Sequence, residues 1–264
     1  MGSIDVKITE RLQTSKAFTA FAESIKDRMQ TCGTTIFSGR NTIKVMDVEG
    51  VEGGSLRVVV KHFRKPNLLK KLGYVLGGKT KARKAFDNGQ ELLARGIATP
   101  EPYASVDYTC CGIACDSYLL TAEESLPPVE DKLPVYGTDA FDKAMAEAFA
   151  GLVAEMHGKG ILHHDLNPTN VRYRKTADGR LQFSLIDINR MTFYPSGTDI
   201  PMKDCMENMT RFTGRMDIFE YVARQYARCR NLDEQAFCDE AVAQKKAHDA
   251  AWRRKKRLAH PFRR

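Results

Sequence analysis

The chain has 264 residues, of which 42% are hydrophobic and 28% are charged, and this balance predicts a soluble globular protein with one large or bilobal domain. No apolar run reaches the roughly 18–20 residues that a membrane span requires, and the first residues show no apolar segment of a secretory signal. The formal net charge of +8 favours a polyanionic partner, such as nucleic acid, acidic lipid or a phosphorylated sugar, without choosing among them.

Seven cysteines are spread through the sequence without regular spacing, and such a pattern does not predict a disulfide framework. Cys110, Cys111 and Cys115 could be read as metal ligands, but no matching pair of Cys or His stands at the spacing of a zinc site. Reduced, structural thiols are the favoured interpretation, and they indicate a reducing cytosol.

The first half of the chain mixes helical and extended patterns. Apolar residues recur at helical spacing between Leu12 and Met29, whereas β-branched residues dominate the stretch before Lys61. Gly96 follows a second helical pattern and is a usual C-cap residue. These patterns predict, in chain order, a helix over residues 8–30, strands over 34–37, 42–46 and 55–63, a helix over 80–95 and a strand over 117–120.

The second half is mainly helical, and a polar stretch around Pro127 and Pro128 predicts the connection that leads into it. Asp178 and Gly179 supply a hairpin turn between two short extended segments. The predicted elements are helices over residues 138–157, 216–229 and 233–258 and strands over 170–173 and 181–186.

Four polar positions occur in an order that suits phosphoryl transfer. Lys61 lies in a predicted strand, Asp165 and Asn170 lie in a loop directly after a predicted helix, and Asp187 follows a hairpin strand. One carboxylate can aim an acceptor hydroxyl and take its proton, and Asp165 suits that role. Magnesium prefers oxygen ligands, which Asn170 and Asp187 can supply, so these two residues are the predicted metal ligands.

The phosphates of a nucleotide require a cation, and a strand lysine held by a helix acid supplies one. Lys61 is the predicted cation. Asp87 and Glu91 lie one turn apart on the helix predicted over residues 80–95, and either could hold Lys61. Both are therefore predicted nucleotide-binding residues, and the choice between them stays open.

Residues 163–170 read HHDLNPTN and are similar to the kinase catalytic loop H-R-D-L-x-x-x-N, and residues 187–189 (DIN) resemble a variant of D-F-G. With residues 61–63 (KHF) and 94–102 (ARGIATPEP), the chain resembles more closely the bacterial lipopolysaccharide kinases. These are the 3-deoxy-D-manno-octulosonic acid (Kdo) and core-heptose kinases. The resemblance covers roughly residues 35–195. It implies ATP, magnesium and a sugar hydroxyl acceptor in the inner core of lipopolysaccharide.

The resemblance implies a bilobal, protein-kinase-like α+β fold. A β-rich N-lobe with an extra N-terminal helix is expected over residues 1–120, and a helical C-lobe over residues 121–264. ATP is expected between them, near a hinge around Thr121–Glu123, so Glu123 is a predicted nucleotide-binding residue. The first histidine of the catalytic loop, His163, is expected to be a structural hydrogen-bonding residue.

Several departures from protein kinases bear on the substrate. No G-x-G-x-x-G precedes the strand lysine, so Gly39 and Arg40 are predicted to close over the phosphates instead. His164 replaces the arginine that reads activation-loop phosphate, Asn167 replaces a common lysine, and no A-P-E motif follows. His164 has no role that the sequence assigns, and Arg190 could touch phosphate or be solvated. These differences favour a small-molecule or glycolipid acceptor over a protein substrate.

We therefore expect a kinase that phosphorylates a Kdo or heptose hydroxyl. The competing readings are an atypical protein kinase similar to the RIO family and a pseudokinase that serves as an interaction module. Basic and apolar residues are mixed over residues 64–84 and 252–264, so both segments could contact an anionic membrane or be ordinary solvated surface. Nucleic acid is the less favoured partner, because no binding module is recognised. The implied location is the cytoplasm, at the inner face of the bacterial inner membrane.

Overall fold

The computed structural model describes residues 2–63, 78–110 and 113–259. The chain forms two compact units. The first unit comprises Met1–Ser125 together with Asp187–Asn189, and the second comprises Leu126–Ile186 together with Arg190–Arg264. The lobes predicted over residues 1–120 and 121–264, with ATP-phosphate binding in the first and the catalytic loop and metal site in the second, stay predictions.

An antiparallel sheet of six strands forms the first unit. The strands are β1 (Gly2–Ile8), β2 (Thr34–Ser38), β3 (Thr42–Val51), β4 (Gly54–Phe63), β5 (Pro102–Cys110) and β6 (Ile113–Thr121). Their order in the sheet is β1-β5-β6-β4-β3-β2, and every neighbouring pair is antiparallel.

Three helices accompany this sheet in the described part of the first unit: α1 (Lys16–Glu23), α2 (Ile25–Thr31) and α3 (Lys81–Ala94). Phe18 of α1 and Ile25 of α2 are fully buried in one core with Val58 and Val60 of β4. Side chains alternate between the two faces of a strand, so Lys61 points to the opposite face from these valines. The hydrophobic alternation of β4 therefore determines the direction of the predicted phosphate-binding lysine.

The second unit is mainly helical. Its helices are α4 (Lys143–Gly158), α5 (Met202–Met209), α6 (Met216–Cys229) and α7 (Glu234–Ala259). Two small antiparallel sheets complete it, one of β7 (Ile161–His163) with β10 (Met191–Phe193) and one of β8 (Val171–Lys175) with β9 (Leu181–Leu185).

Aromatic side chains dominate the core of the second unit. The rings of Phe149 on α4 and Phe212 lie 5.4 Å apart, and Phe219 on α6 stacks on Phe212 at 5.7 Å. All three are fully buried. Because α4 and α6 are fixed by this core, the loop that follows α4 and β7 starts from a rigid support. The prediction of an α+β class is confirmed by one sheet-based unit and one mainly helical unit.

The predicted helix over residues 8–30 is wrong in part. Gly2–Ile8 forms strand β1, in which Val6 lies opposite Val106 of β5. The helical region that follows is broken at Ser24, whose φ and ψ are −92° and 8° and whose hydroxyl donates to the carbonyl of Ala20 at 2.7 Å. A serine hydroxyl that bonds to the preceding turn competes with helix propagation. The single predicted helix is therefore two short ones.

Candidate active site

Lys61 and Asp187 form an ion pair within the first unit. The Nζ atom of Lys61 lies 2.7 Å from Oδ1 of Asp187, and the same oxygen accepts a hydrogen bond of 2.9 Å from Nδ2 of Asn189. The lysine and aspartate side chains are 18% and 35% exposed, so solvent reaches the pair in part. The structure thus brings together the predicted phosphate-binding cation and one predicted metal ligand from distant parts of the chain.

The backbone of Asp187 is left-handed, with a φ angle of +56°. This region costs an L-residue roughly 1–2 kcal/mol, although Asp and Asn adopt it more readily than branched residues. Residues in such sparsely populated conformations cluster at functional sites. The conformation turns the chain sharply just after β9, so it helps to determine where the carboxylate points.

The two predicted helix acids of α3 have other partners. Asp87 accepts hydrogen bonds from Lys7 at 2.8 Å and from Lys79 at 2.6 Å. Burial opposes ionisation of Asp87, but these two bonds outweigh it and lower the pKa. Glu91 pairs with an arginine one helical turn further along, at 2.7 Å. Among the described residues neither acid contacts Lys61, so nucleotide binding by either acid stays a prediction.

The residue of α3 that reaches the Asp187 segment is Asn88, which the sequence analysis did not select. Its Nδ2 atom donates a hydrogen bond of 2.7 Å to the carbonyl of Ile188. A neutral amide is not the charged partner that a strand lysine is expected to have, so Asn88 does not stand out in the sequence. The available signal was its place on the helix, beside the buried positions Ala85 and Gly89.

His163 organises the predicted catalytic loop in the second unit. Its ring is fully buried, and Nδ1 lies 3.1 Å from the peptide N–H of Asp165. Because that N–H can only donate, Nδ1 is the acceptor, and the neutral ring carries its proton on Nε2. Nε2 lies 3.3 Å from the carbonyl of Ile186 and donates to it. The structural role expected for His163 is confirmed.

Asn170 is fastened to the same loop. Its Nδ2 atom donates to the main-chain carbonyl of Asp165 at 2.9 Å. The main-chain carbonyl of Asn170 accepts a hydrogen bond from the N–H of Ile186, also at 2.9 Å. Asn167 begins the short 3-10 turn at Pro168–Asn170, because its side-chain oxygen accepts from the following threonine N–H. The structure therefore brings Asp165 and Asn170 together in one loop, as their spacing predicts.

The carboxylate of Asp165 is accessible. The side chain is 37% exposed, and the guanidinium of Arg190 approaches it at 4.0 Å, which is beyond hydrogen-bond range. Within the described part of the chain, no protein group donates a hydrogen bond to this carboxylate. It can therefore accept a proton from a bound hydroxyl without first losing a protein partner.

His164 and Arg190 help to connect this loop to strand β10. The N–H of His164 donates to the carbonyl of Arg190 at 3.0 Å, and its Nε2 atom lies 2.8 Å from the hydroxyl of Thr192. Arg211 donates to the carbonyl of His164 at 2.6 Å. The histidine to which the sequence assigned no role is thus part of the loop's support.

A buried chain of hydrogen bonds reaches the catalytic loop from α4, α5 and α6. Asn208 donates through Nδ2 to the carbonyl of His163 at 2.7 Å, so its oxygen faces Nε2 of His157 at 3.0 Å. His157 must donate there, which leaves Nδ1 to accept from the hydroxyl of Tyr226 at 2.8 Å. Arg230 in turn donates to that hydroxyl at 3.1 Å. Burial lowers the pKa of His157 to about 4, so the ring is neutral at pH 7.

The remaining predicted nucleotide-binding residues lie in the first unit. Gly39 and Arg40 occupy the β2–β3 hairpin, where the N–H of Gly39 donates to the carbonyl of Asn41 at 3.0 Å and Arg40 is exposed. Glu123 accepts a hydrogen bond of 2.7 Å from Nε of Arg57. Their contact with nucleotide stays a prediction.

The predicted magnesium ligands have suitable chemistry. Asp187 offers a carboxylate, and Asn170 offers an amide oxygen, because its nitrogen is the atom that faces the carbonyl of Asp165. Hard cations prefer such oxygen ligands, so these residues fit magnesium. Across residues 2–63, 78–110 and 113–259, no group of three or more His, Cys, Asp or Glu is gathered as for a metal ion. The side chains of Cys110 and Cys111 lie outside the described residues.

The two basic segments are described only in part. Residues 64–77 and 260–264 lie outside the described residues. The described end of α7 is exposed over residues 251–258, including Trp252 at 51% and Leu258 at 77%. In the portion of the chain that the structure covers, no helix has the length and apolar character needed to cross a bilayer.

Comparison with solved structures shows the fold. The chain is similar to a structure described as WaaP in complex with acyl carrier protein, with a TM-score of 0.56 and 16% sequence identity over 92% of this chain and 98% of that chain. It also matches a double mutant of the PknI kinase domain of Mycobacterium tuberculosis, with a TM-score of 0.42 and 12% identity over 80% and 93% of the two chains. The TM-score of 0.56 with the first of these structures confirms the prediction of a kinase-like fold.

Sequence comparison shows the family. No curated protein matches the chain. Residues 39–228, which are well over half of the chain, match the family model described as Lipopolysaccharide kinase (Kdo/WaaP) family. This range contains Lys61, Asp165, Asn170 and Asp187. The chain belongs to the lipopolysaccharide kinase (Kdo/WaaP) family.

Proposed function

We propose that the protein transfers the γ-phosphoryl group of ATP to a Kdo or heptose hydroxyl in the inner core of lipopolysaccharide. Membership of a kinase family implies ATP as the phosphoryl donor. The observation that carries the proposal is the ion pair of 2.7 Å between Lys61 and Asp187, since it joins a strand lysine to a carboxylate in a left-handed turn. Phosphoryl transfer uses both kinds of group.

Each residue has a stated role in this proposal. Lys61 binds the α- and β-phosphates, and Asp187 and Asn170 would hold magnesium, which would neutralise charge on the phosphate oxygens. Asp165 accepts the proton of the sugar hydroxyl. The sugar oxygen then bonds to the γ-phosphorus, the bond from that phosphorus to the bridging oxygen breaks, and ADP leaves. The exposed carboxylate of Asp165 supports its part.

A sugar acceptor is favoured over a protein acceptor by the loop itself. His164, which replaces the arginine that reads activation-loop phosphate, is bonded to Thr192 instead. Asn167, which replaces a common lysine, is used to begin the turn that carries Asn170. Both positions therefore have structural partners in place of the protein-kinase functions.

The decisive experiment offers labelled ATP and magnesium either with Kdo-lipid A or with general protein substrates. We expect label in the lipid alone. Asp165→Ala should reduce transfer by about 10²–10⁴-fold, the usual contribution of a general base, while nucleotide binding is retained. Asp239→Ala, which removes an exposed carboxylate from α7, is the matched control and should leave transfer unchanged.

The other possible results of this experiment would contradict the proposal or one of its residue roles. Label in protein alone would replace the proposal with an atypical protein kinase, and failure to bind ATP with magnesium would indicate a pseudokinase. Full activity of Asp165→Ala would refute the role of that residue.

We also propose that the protein works at an anionic membrane surface, on the inner face of the inner membrane, because its acceptor is a lipid. Arg253–Arg257 are five consecutive basic residues on the exposed end of α7. Each basic residue near such a surface contributes about 1 kcal/mol. Transfer to Kdo-lipid A in anionic vesicles should therefore fall as salt rises, whereas transfer in neutral detergent should not. An equal salt response in both would remove the membrane contact from the proposal.

A further inference from the structure

Helix α3 touches the Asp187 segment at two neighbouring residues. The first is Asn88, whose Nδ2 atom lies 2.7 Å from the carbonyl oxygen of Ile188. A carbonyl can only accept, so the atom that faces it is the amide nitrogen, which fixes the direction of this bond. The bond joins a side chain in the middle of α3 to the backbone one residue after Asp187.

The second contact is made by Gly89. A Cβ atom at this position would lie 3.2 Å from Cδ1 of Ile188 and 3.0 Å from Cγ of Pro102, closer than nine in ten real contacts of a Cβ atom. The missing side chain therefore allows α3 to approach the Asp187 segment closely. Ile188 is only 6% exposed, so both its side chain and its carbonyl are held by the first unit.

These contacts act on the backbone that carries Asp187. Asn88 bonds to the carbonyl of the residue that directly follows the left-handed Asp187. Lys61 and Asn189 bond to the carboxylate directly, whereas Asn88 bonds to the main chain beside it. The position of the carboxylate thus depends on contacts of two kinds. A bound phosphate would compete for the charged contact with Lys61, but it would not compete for the neutral hydrogen bond from Asn88.

We propose that Asn88 is a positioning residue for Asp187. The inference rests on the proposed function, in which Asp187 holds magnesium. The hydrogen bond from Asn88 to Ile188 involves no charged group. It keeps the Asp187 backbone against α3 while Lys61 leaves Asp187 and binds the phosphates of ATP. A helix acid paired with Lys61 would instead link α3 to the lysine, and not to the backbone beside Asp187. The link from α3 to the metal ligand is therefore the same whether Lys61 is bound to Asp187 or to phosphate.

Asn88→Leu tests this role, because leucine has a similar volume and no donor. The readout is binding of a fluorescent ATP analogue as magnesium is varied, and it needs no turnover. Loss of a residue that orients a metal ligand typically weakens metal binding about 10–100-fold. We expect the magnesium concentration at half-saturation to rise by about tenfold or more, and nucleotide affinity at saturating magnesium to return to the wild-type value.

Gln90→Leu is the matched control. Gln90 lies on the same helix and its amide also donates to a main-chain carbonyl, that of Pro102, and to the hydroxyl of Thr9. These bonds go to Thr9 and to β5 and not to the Asp187 segment, so its replacement should leave the magnesium dependence unchanged. Asn88→Gln keeps an amide donor and should recover part of the wild-type response.

The outcomes separate the two claims. Wild-type magnesium dependence in Asn88→Leu would overturn the positioning role, and so would an equal change in Gln90→Leu. If Asn88→Leu does not fold, Asn88→Ser, whose hydroxyl is too short to replace the amide, decides the matter in the same titration. A wild-type protein that binds the analogue without any response to magnesium would instead overturn the proposed function.

Discussion

Lys61 has one carboxylate partner among the described residues, and that partner is Asp187. Lys61→Met should lower kcat/KM for ATP by about 10²–10³-fold, because one preorganised charge near the phosphates is lost. The pair is partly exposed, so its loss should cost folding stability only about 1 kcal/mol or less. Steady-state kinetics and urea unfolding measure these two effects.

The control for this prediction is Lys79→Met. Lys79 also pairs with an aspartate, Asp87, at 2.6 Å, but its side chain is 61% exposed. We expect near-wild-type kinetics from this variant. A comparable loss in both variants would show that the kinetic effect does not depend on the pair of Lys61 and Asp187.

The sequence was sufficient to select Lys61, Asp165, Asn170 and Asp187, because each belongs to a motif with fixed spacing. It could not select Asn88, whose function would come from one hydrogen bond to a main-chain carbonyl. Carbonyl groups occur at every residue, so no sequence pattern marks which one an amide will reach. In α3 only the charged residues Asp87 and Glu91 therefore stand out in the sequence.

Helix α6 contains two tyrosines whose hydroxyls differ in burial. Tyr226 is fully buried and connects His157 with Arg230, and burial raises the pKa of its phenol, so it remains a donor. Tyr226→Phe leaves Nδ1 of His157 without a hydrogen bond inside the protein. A buried polar group left in this way costs about 1–3 kcal/mol. Urea unfolding should show this loss, and the catalytic loop should exchange its amide hydrogens faster.

Tyr221→Phe is the matched control on the same helix. Its hydroxyl donates to Glu147 at 2.7 Å, but this bond is exposed. The expected change in the free energy of unfolding is within about 0.5 kcal/mol. An equally small effect at Tyr226 would show that the buried chain of hydrogen bonds does not support the loop.

Elements with a strong hydrophobic period were predicted well, as α6 shows, since its predicted bounds of 216–229 are the observed ones. Strand β5 was missed, because it contains Pro102 and two buried polar residues, Ser105 and Asp107. These residues interrupt the apolar alternation by which a strand is recognised. Their burial is made possible by partners distant in sequence, such as Thr80, which donates to the carboxylate of Asp107 at 2.8 Å.

The two units should respond to pH in opposite directions. In the first unit, burial raises the pKa of Asp107 to about 6 from an ordinary value of 3.8. The folded state then binds the proton more tightly than the unfolded state, so stability is lost as the pH rises towards 6. In the second unit, burial lowers the pKa of His157 to about 4 from 6.5, so stability is lost as the pH falls towards 4. Each effect is on the order of 3 kcal/mol.

Two variants separate these contributions in thermal unfolding between about pH 4.5 and 6.5, the range between the shifted and ordinary pKa values. The Tm of Asp107→Asn, relative to wild type, should rise as the pH rises, because the variant has no carboxyl to ionise. The relative Tm of His157→Gln should rise as the pH falls, because it has no buried imidazole to protonate. Curves for both variants that run parallel to the wild-type curve would contradict the assignment of the two groups.

The grouping of Asp187–Asn189 with the first unit has a consequence for any attempt to dissect the protein. A fragment that ends at Ser125 would contain Lys61 and Asn88 but would lack the partners of both, and the space beside Gly89 that Ile188 fills would be left open. Two contiguous fragments therefore cannot reproduce the two units. For two separately expressed halves to complement each other, Asp187–Asn189 of the second fragment would have to bind to the first fragment. We therefore expect the active arrangement to form in the intact polypeptide and not from the two halves.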